Sequence, residues 1–431
     1  MKDIINIAVV GLGQIGIYLF NELNAKKKEI EKKTGKKIKV VAISAKNINK
    51  KRKFKINKKI FFKNPLDILK KEKIDVLFEA IGLPDGISKK IVEQSIKNKI
   101  HVITPNKALI AKHGDYLSML AEKNNVNLEF EASVGGGIPR PRTLKDGIAT
   151  NKIKKVVGIL NGTCNYILSE MEVSKDSFAN VLKKAQVLGF AEPSNPKFDI
   201  NGIDTLAKVR ILSALAFNKK ISNNKCLMEG IQNVESKDIE IAKQLNFRIK
   251  LLGITELLDN CLFERVHPCL VGIDTYMGNI NGVMNAIILN SKPVGKTALH
   301  GEGAGPGPTS SALLSDLLSI LRGNIKFPFG IPSIKRKEIK KYNENNYINS
   351  LYLRFEVKDK PGVLSEITNR LAKYKISVKR IIQTPDKKNK KATIVIITHK
   401  TNDQNSNNCI SIFKKNKNIL KSPTIIRIEN S

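Results

Sequence analysis

The chain has 431 residues, 41% of them apolar, enough for roughly two to four domains with sizeable cores. No apolar run reaches the ~18 residues of a membrane span, and the opening "MKDIINIAVVGLG" passes directly into a strand pattern, which argues against a membrane segment or a signal peptide. The formal net charge of +36 invites a nucleic-acid reading, but lysine and asparagine are spread through every segment, Trp is absent, and no interleaved basic and aromatic surface appears. We therefore expect no nucleic-acid partner, while a general attraction for phosphorylated or carboxylate ligands remains. The five cysteines are odd in number and scattered, which suits free thiols in a reducing, cytoplasmic setting. "CLFERVHPC", Cys261 to Cys269, fits no familiar metal-ligand spacing.

In chain order, "INIAVVGLGQIGIYLFNEL" predicts a strand over Ile4 to Val10, a turn carrying Gly11, Gly13 and Gly16, and then a helix. Gly11 permits the tight turn, Gly13 a close backbone approach to a pyrophosphate, and Gly16 close helix packing, with Gln14 and Ile15 opening the helix whose amino end faces the phosphates. A second strand ends near Ser44. There the chain offers Lys46, Lys50, Lys51 and Arg52 and no acidic residue, a pattern that favours the 2′-phosphate of NADP, with NAD also possible. Strands are expected over 74–81, 101–105 and 126–133, with a helix from "NKALIAKHGDYLSMLAEKN" between the last two. This alternation predicts a parallel sheet, with Lys107 just beyond a strand's carboxyl end. "SKPVGKT" at 291–297 ends like a phosphate-binding loop, but position 290 is Asn290 where the first glycine is required.

The segment "AEPSNPKFDINGIDTLAKVRIL" sets Glu192, Asp199 and Asp204 ahead of an apolar run that contains Lys208. Asp204 and Lys208 stand i and i+4 on a predicted helix and share a face. An ammonium there can stabilise a developing oxyanion and exchange its proton, and a carboxylate one turn away can hold it. Taken alone, the same residues also read as a surface lysine with caps and turn acids.

After the glycine and proline cluster at 301–308, "TSSALLSDLLSILRG" predicts a helix started by its serines. A polar, loop-like stretch over 326–347 then reads as a linker. Beyond it, residues 348–431 predict the order βαββαβ, with a helix from "DKPGVLSEIT" to about Tyr374 and another near 405–414.

Six ordered blocks together resemble the homoserine dehydrogenase family. They are "VVGLGQIG", "HVITPNKALIAKHG", "FEASVGGGIPRPRTL", "GILNGTCNYIL", "AQVLGFAEPSNPKFDINGIDTLAK" and "GEGAGPGPTSSALLSDL". Pro105 and Cys164 depart from the family's commoner alanine and threonine. The tail resembles an ACT domain, and with no kinase-length segment ahead of residue 1 the resemblance is to a monofunctional form. It implies NAD(P)-dependent interconversion of L-homoserine and L-aspartate 4-semialdehyde in threonine and methionine biosynthesis. It assigns proton transfer to Lys208, a catalytic or binding role to Lys107, support to Asp204, and substrate binding to Glu192 and Asp199. Cofactor contacts fall on Gly11, Gly13, Gln14, Ile15, Gly16, Lys46, Lys107, Gly303 and Gly305. A monovalent cation, Na or K, is implied on the backbone carbonyls of Glu131, Val134, Gly136 and Ile138, although a glycine-rich bend alone would read the same way.

The expected architecture is α/β. It comprises a Rossmann-type nucleotide-binding domain over 1–130 completed by 305–325, an α+β catalytic and dimerisation domain over 131–304, the linker, and a C-terminal ACT-like domain. The resemblance also implies a homo-oligomer and L-threonine as an effector of the tail. Two rivals stay open: another amino-acid-pathway NAD(P) oxidoreductase, and a non-catalytic amino-acid sensor that retains a dehydrogenase core.

Overall fold

A computed structural model describes residues 3–47, 57–193, 195–386, 389–413 and 416–430. Lys50, Lys51 and Arg52 lie outside these residues. Strands β1 (Ile4–Val10), β2 (Lys37–Ser44), β3 (Phe61–Phe62), β4 (Val76–Glu79), β5 (His101–Ile103) and β6 (Leu128–Glu129) form one sheet in the order 3-2-1-4-5-6. All five pairings are parallel, and the order reverses between β1 and β4, where such sheets open a ligand crevice. Helix Pro306–Leu321 returns to this domain: Leu313 and Leu317 share a core with Ile7, Val9 and Leu19.

Two local expectations are corrected. The strand expected over 126–133 ends at Glu129, because the chain turns into a short 3-10 segment, Glu131–Ser133, where the Glu131 N–H donates to Asp316 Oδ2 at 3.0 Å. The helix expected to start at its serines begins earlier, at Pro306. Gly305 precedes it, Pro occupies the first helical position, and Thr309 and Ser310 are buried within the first turns.

The rest of the chain builds a second sheet from β7 (Lys152–Ile159), β8 (Leu227–Met228), β9 (Phe247–Leu258), β10 (Cys261–Gly272), β11 (Met284–Lys292), β12 (Gly295–Glu302), β13 (Ile348–Lys358), β14 (Val378–Asp386), β15 (Lys391–Thr398), β16 (Thr401–Asn402) and β17 (Thr424–Ile428). Its main path runs 12-11-7-9-10-17-13-15-14. The 291–297 stretch is the antiparallel β11–β12 hairpin, a geometry unlike a strand-to-helix phosphate loop. Cys261 and Cys269 sit near opposite ends of β10, too far apart to share a metal.

The βαββαβ tail folds as expected, with helices Val363–Lys373 and Asp403–Phe413. Its sheet is continuous with the catalytic sheet through β10 and β17, parallel at Cys269 with Arg427 and Leu270 with Ile428. The stretch 326–347 has little regular structure but is fastened down: Phe329 is buried against Phe130, and the buried Arg336 guanidinium stacks on Phe329 and pairs with Asp115 at 2.7 Å.

The junction also carries a buried ionic clamp. Arg354 on β13 donates from Nε and Nη2 to the two oxygens of Asp238, at 2.6 and 3.0 Å, and the Tyr352 hydroxyl adds a bond of 3.0 Å to the same carboxylate. Asp238 belongs to the catalytic helix Ser236–Gln244. Both side chains are fully buried, so removing the carboxylate takes away the guanidinium's bidentate partner, a loss of about 1.5–3 kcal/mol, while Glu235 and Glu356 still pair with Arg354. Asp238→Ala should therefore split urea unfolding, with an early transition for the tail and proteolytic nicking near residue 345. A single transition at the wild-type midpoint would show that the clamp does not hold the tail.

Candidate active site

Two clefts flank the join between the sheets. The first, about 920 Å³, is lined by Val10, Gly11, Leu12, Gly13, Lys46 and Lys63 among others, at the carboxyl ends of β1, β2 and β4. Gly11 has φ of +98°, and a Cβ there would lie 2.5 Å from the Ala80 carbonyl oxygen. A Cβ on Gly16 would fall 1.9 Å from the Gly11 carbonyl oxygen, so Gly16 serves the turn itself rather than strand packing alone. Among the described residues nothing stands within 4 Å of a Cβ placed on Gly13, which leaves its backbone open to a ligand beside the amino end of helix Gln14–Ala25. These residues fit a dinucleotide pyrophosphate. Lys63 enters the same cleft from beyond β3, a position that local motif reading does not single out.

The second cleft, about 410 Å³, is lined by Lys107, Asn161, Asp199, Asp204, Lys208 and the Glu302–Gly305 segment. Gly303 and Gly305 thus border the cleft of Lys208, while Gly11, Gly13 and Lys46 border the other. The loop around Gly136 packs on Gly303 so closely that a Cβ would come within 2.8 Å of its carbonyl carbon.

Three elements deliver the charged groups. Lys107 is the first residue of helix Lys107–Lys123, which Asn106 caps by accepting from the Leu109 N–H. Asp204 and Lys208 lie one turn apart on helix Ile203–Phe217, preceded by Gly202 in the left-handed region at φ of +85°. Leu160 and Asn161 follow β7 and lead into helix Gly162–Ser174. Asp204 Oδ1 forms an ion pair with Lys107 at 2.5 Å, and Oδ2 accepts from Lys208 at 2.8 Å. Lys208 donates a second bond to the Leu160 carbonyl at 2.7 Å, leaving one of its three N–H groups for a substrate oxygen. Asp199 accepts from Asn161 at 2.9 Å.

The electrostatics follow from burial and pairing. Burial pushes the Asp204 carboxyl up, but the two ammonium groups outweigh it and hold the carboxyl well below the usual range. Burial lowers Lys208, and Asp204 recovers only part of the drop. Burial would lower Lys107 too, yet Asp204 and then Asp199 raise it above its ordinary value. Asp199 is raised, first by burial and then by the charge of Asp204. Cys164 is fully buried, its thiol raised mainly by burial, and its Sγ–H donates to the Asp199 carbonyl at 3.4 Å.

Not every expected residue converges here. Glu192 is exposed on the loop after helix Phe178–Val187 and does not line the cleft. In the glycine-rich loop the Glu131 carbonyl accepts from the Val134 N–H at 3.4 Å and the Ile138 carbonyl from the Arg140 N–H at 2.8 Å, so two of the four expected carbonyls are already engaged. Glu131 Oε1 is buried without a hydrogen-bond partner, an acceptor that suits a cation, and burial raises this carboxyl to about 7. The Arg140 guanidinium lies against Gly135, also buried and unpartnered, lowered by burial to about 9. Asn161 is the residue that role assignment overlooked, although the "NGTCNY" block contained it.

Family models describe residues 11–131 as a homoserine dehydrogenase NAD-binding domain, 139–318 as homoserine dehydrogenase, and 351–415 as an ACT domain. The homoserine dehydrogenase of Neisseria gonorrhoeae is 38% identical over 434 residues, covering 99% of each chain. The chain belongs to the homoserine dehydrogenase family. The Helicobacter pylori homoserine dehydrogenase is 35% identical with full coverage of both chains. The crystal structure of a homoserine dehydrogenase from Thiobacillus denitrificans superposes with a TM-score of 0.91 at 33% identity, covering 99% of this chain and 98% of that one. The protein is thus an NAD(P)-dependent oxidoreductase that interconverts L-homoserine and L-aspartate 4-semialdehyde in the threonine and methionine pathway.

Proposed function

We propose that Lys208 carries the proton of this reaction, and the observation behind this is a buried Asp204 bonded to Lys208 and Lys107 together. The nicotinamide ring supplies or takes the hydride when the cofactor is bound. As hydride reaches the aldehyde carbon, negative charge grows on its oxygen, and the remaining Lys208 N–H meets that charge and then transfers its proton. The depressed pKa of Lys208 makes that transfer easier, while Lys107, kept protonated by Asp204, adds a second positive charge at the oxygen. Asp199 serves the substrate's α-ammonium from the same cleft. Glu192 joins it only by a movement of its loop onto bound substrate.

NADP is the preferred cofactor in this reading, supported by Lys46 and Lys63 in the nucleotide cleft, with Gly11, Gly13, Gln14, Ile15 and Gly16 at the pyrophosphate. Gly303 and Gly305 serve the nicotinamide end. For the 131–138 loop we propose that the Val134 and Gly136 carbonyls and Glu131 Oε1 accept a monovalent cation, with the Arg140 guanidinium competing for the same acceptors. The outer strand β12, unpaired on its far side among the described residues, supports a homo-oligomer. Five free cysteines support a cytoplasmic setting, and no helix among the described residues is long and apolar enough to cross a membrane. Threonine as effector is supported by a cleft of about 420 Å³ around Asp359, Gly362 and Gln383, beside the free N–H groups that start helix Val363–Lys373.

Lys208→Ala should reduce turnover by a factor on the order of 10² to 10⁴, the range for a placed proton-transfer group, with NADP affinity unchanged. Steady-state kinetics within twofold of wild type would remove Lys208 from that role. Replacing Lys46 and Lys63 together by Ala should weaken NADP binding about tenfold or more, since a charge-assisted contact contributes roughly 1.5–3 kcal/mol, and leave NAD binding alone. The NADP preference should also fade with added salt, and equal dissociation constants for NAD and NADP at low salt would refute it. Titration of the full chain with L-threonine should give saturable heat and inhibition at millimolar concentration. Absence of both would leave the tail a structural module, or assign it another effector.

A further inference from the structure

Asn161 has one side-chain amide and uses every hydrogen-bonding position that matters on it. Its Nδ2 donates one hydrogen to Asp199 Oδ1 and the other to Asp204 Oδ2, both at 2.9 Å. Its Oδ1 accepts from the Cys164 N–H at 2.8 Å, capping helix Gly162–Ser174. The amide orientation is therefore determined. A flip would set its NH₂ against the Cys164 N–H and its oxygen against two carboxylates, turning three favourable contacts into repulsions. The adjoining residue, Leu160, supplies the carbonyl that Lys208 uses. The chain just beyond β7 thus holds Lys208 through one residue and both carboxylates through the next.

A buried carboxylate and a half-buried one sharing a cleft repel each other, and repulsion is relieved by rotation apart or by protonation. A neutral donor set between them prevents both without adding a charge. We propose that Asn161 is a positioning residue for this reaction, the bridge that keeps Asp199 and Asp204 in register so that each faces its own partner. This rests on the reading of Lys208 and Asp204 as the reacting pair, and it goes beyond that reading in assigning the coupling between the substrate-facing and lysine-facing acids to one amide.

The charged groups facing Asp199 come from two helices, Asp204 and Lys208 from Ile203–Phe217 and Lys107 from Lys107–Lys123, with the neutral amide of Asn161 just beyond β7. Of these, Asp204 raises the Asp199 carboxyl, and Asn161 and the two lysines lower it. Losing the amide bond must move the Asp199 pKa further upward, so the acid limb of activity should move to higher pH.

The test separates bridge from cap. Asn161→Ser keeps a good capping acceptor for the helix but has no NH₂ to span the acids; Asn161→Asp keeps size and cap and likewise lacks the donors. Both should fold and bind NADP normally, with some loss of melting temperature, larger for Asn161→Asp because its new carboxylate faces Asp199 and Asp204. Both should lose turnover on homoserine by roughly 10- to 100-fold, the scale of a misplaced reacting group, with a raised homoserine KM and the acid limb of kcat/KM shifted up. If only one of the two folds, that one suffices. A purely structural cap predicts wild-type turnover and an unmoved pH profile for Asn161→Ser, and this result would overturn the inference. Running Lys208→Ala in parallel distinguishes the failures. An inactive Lys208 variant beside a fully active Asn161→Ser sinks the bridge alone, while an active Lys208 variant sinks the underlying site.

Discussion

The site depends on a single buried carboxylate that two domains share. Asp204 is almost completely removed from water, and a lone charge there would neutralise itself by taking a proton. It stays ionised because Lys107 arrives from the nucleotide domain and Lys208 from its own helix, one on each oxygen. Either ammonium without Asp204 would in turn be a desolvated cation facing another cation. The three charges are stable only together, so the ion triad joins the two domains as well as preparing the chemistry.

The same logic recurs at the other junction, with a different outcome. Arg354, Asp238 and Tyr352 are satisfied entirely by one another and by Glu356, Thr424 and Glu235. Each Arg354 nitrogen there has an acidic partner, and the result is a clamp. At Lys208 one N–H is left over, and in a closed, low-dielectric cleft that vacancy is what substrate oxygen can occupy. What separates Lys208 from Arg354 is that Lys208 lines the cleft.

How far these features could be read in advance depended on sequence distance. The Gly11, Gly13 and Gly16 turn, the Asp204 and Lys208 pair and the βαββαβ tail are local patterns, and each folds as its spacing requires. The pairing of Lys107 with Asp204, and of Arg354 with Asp238 across 116 residues, joins segments whose proximity is set by sheet order. No periodicity encodes it. Lys63 was hidden because the crossover after β2 returns it to the cleft. Over 126–133 apolar alternation suggested a longer strand, but Asp316, far along the chain, captures the Glu131 N–H and turns the backbone. Asn161 lay inside the "NGTCNY" block, and its bridging position shows only where Asp199 and Asp204 stand on either side of it.

The tail adds a constraint on how regulation can reach the site. Its sheet continues the catalytic sheet through β10 and β17, and the Glu429 carboxylate at its far end accepts from Lys155 on β7 at 2.8 Å. β7 is the strand whose carboxyl end presents Leu160 and Asn161 to Lys208 and Asp204. A ligand in the tail can bias catalysis only by favouring one arrangement of these shared elements over another. Because packed sheets shift as units rather than bending smoothly, a small change in how β17 seats on β10 would be carried along β7 rather than absorbed by a loose linker. The firmly held 326–347 stretch closes the alternative route, since it leaves little slack between the two modules. Any coupling of a tail ligand to the site would therefore act through the pairing of two fused sheets.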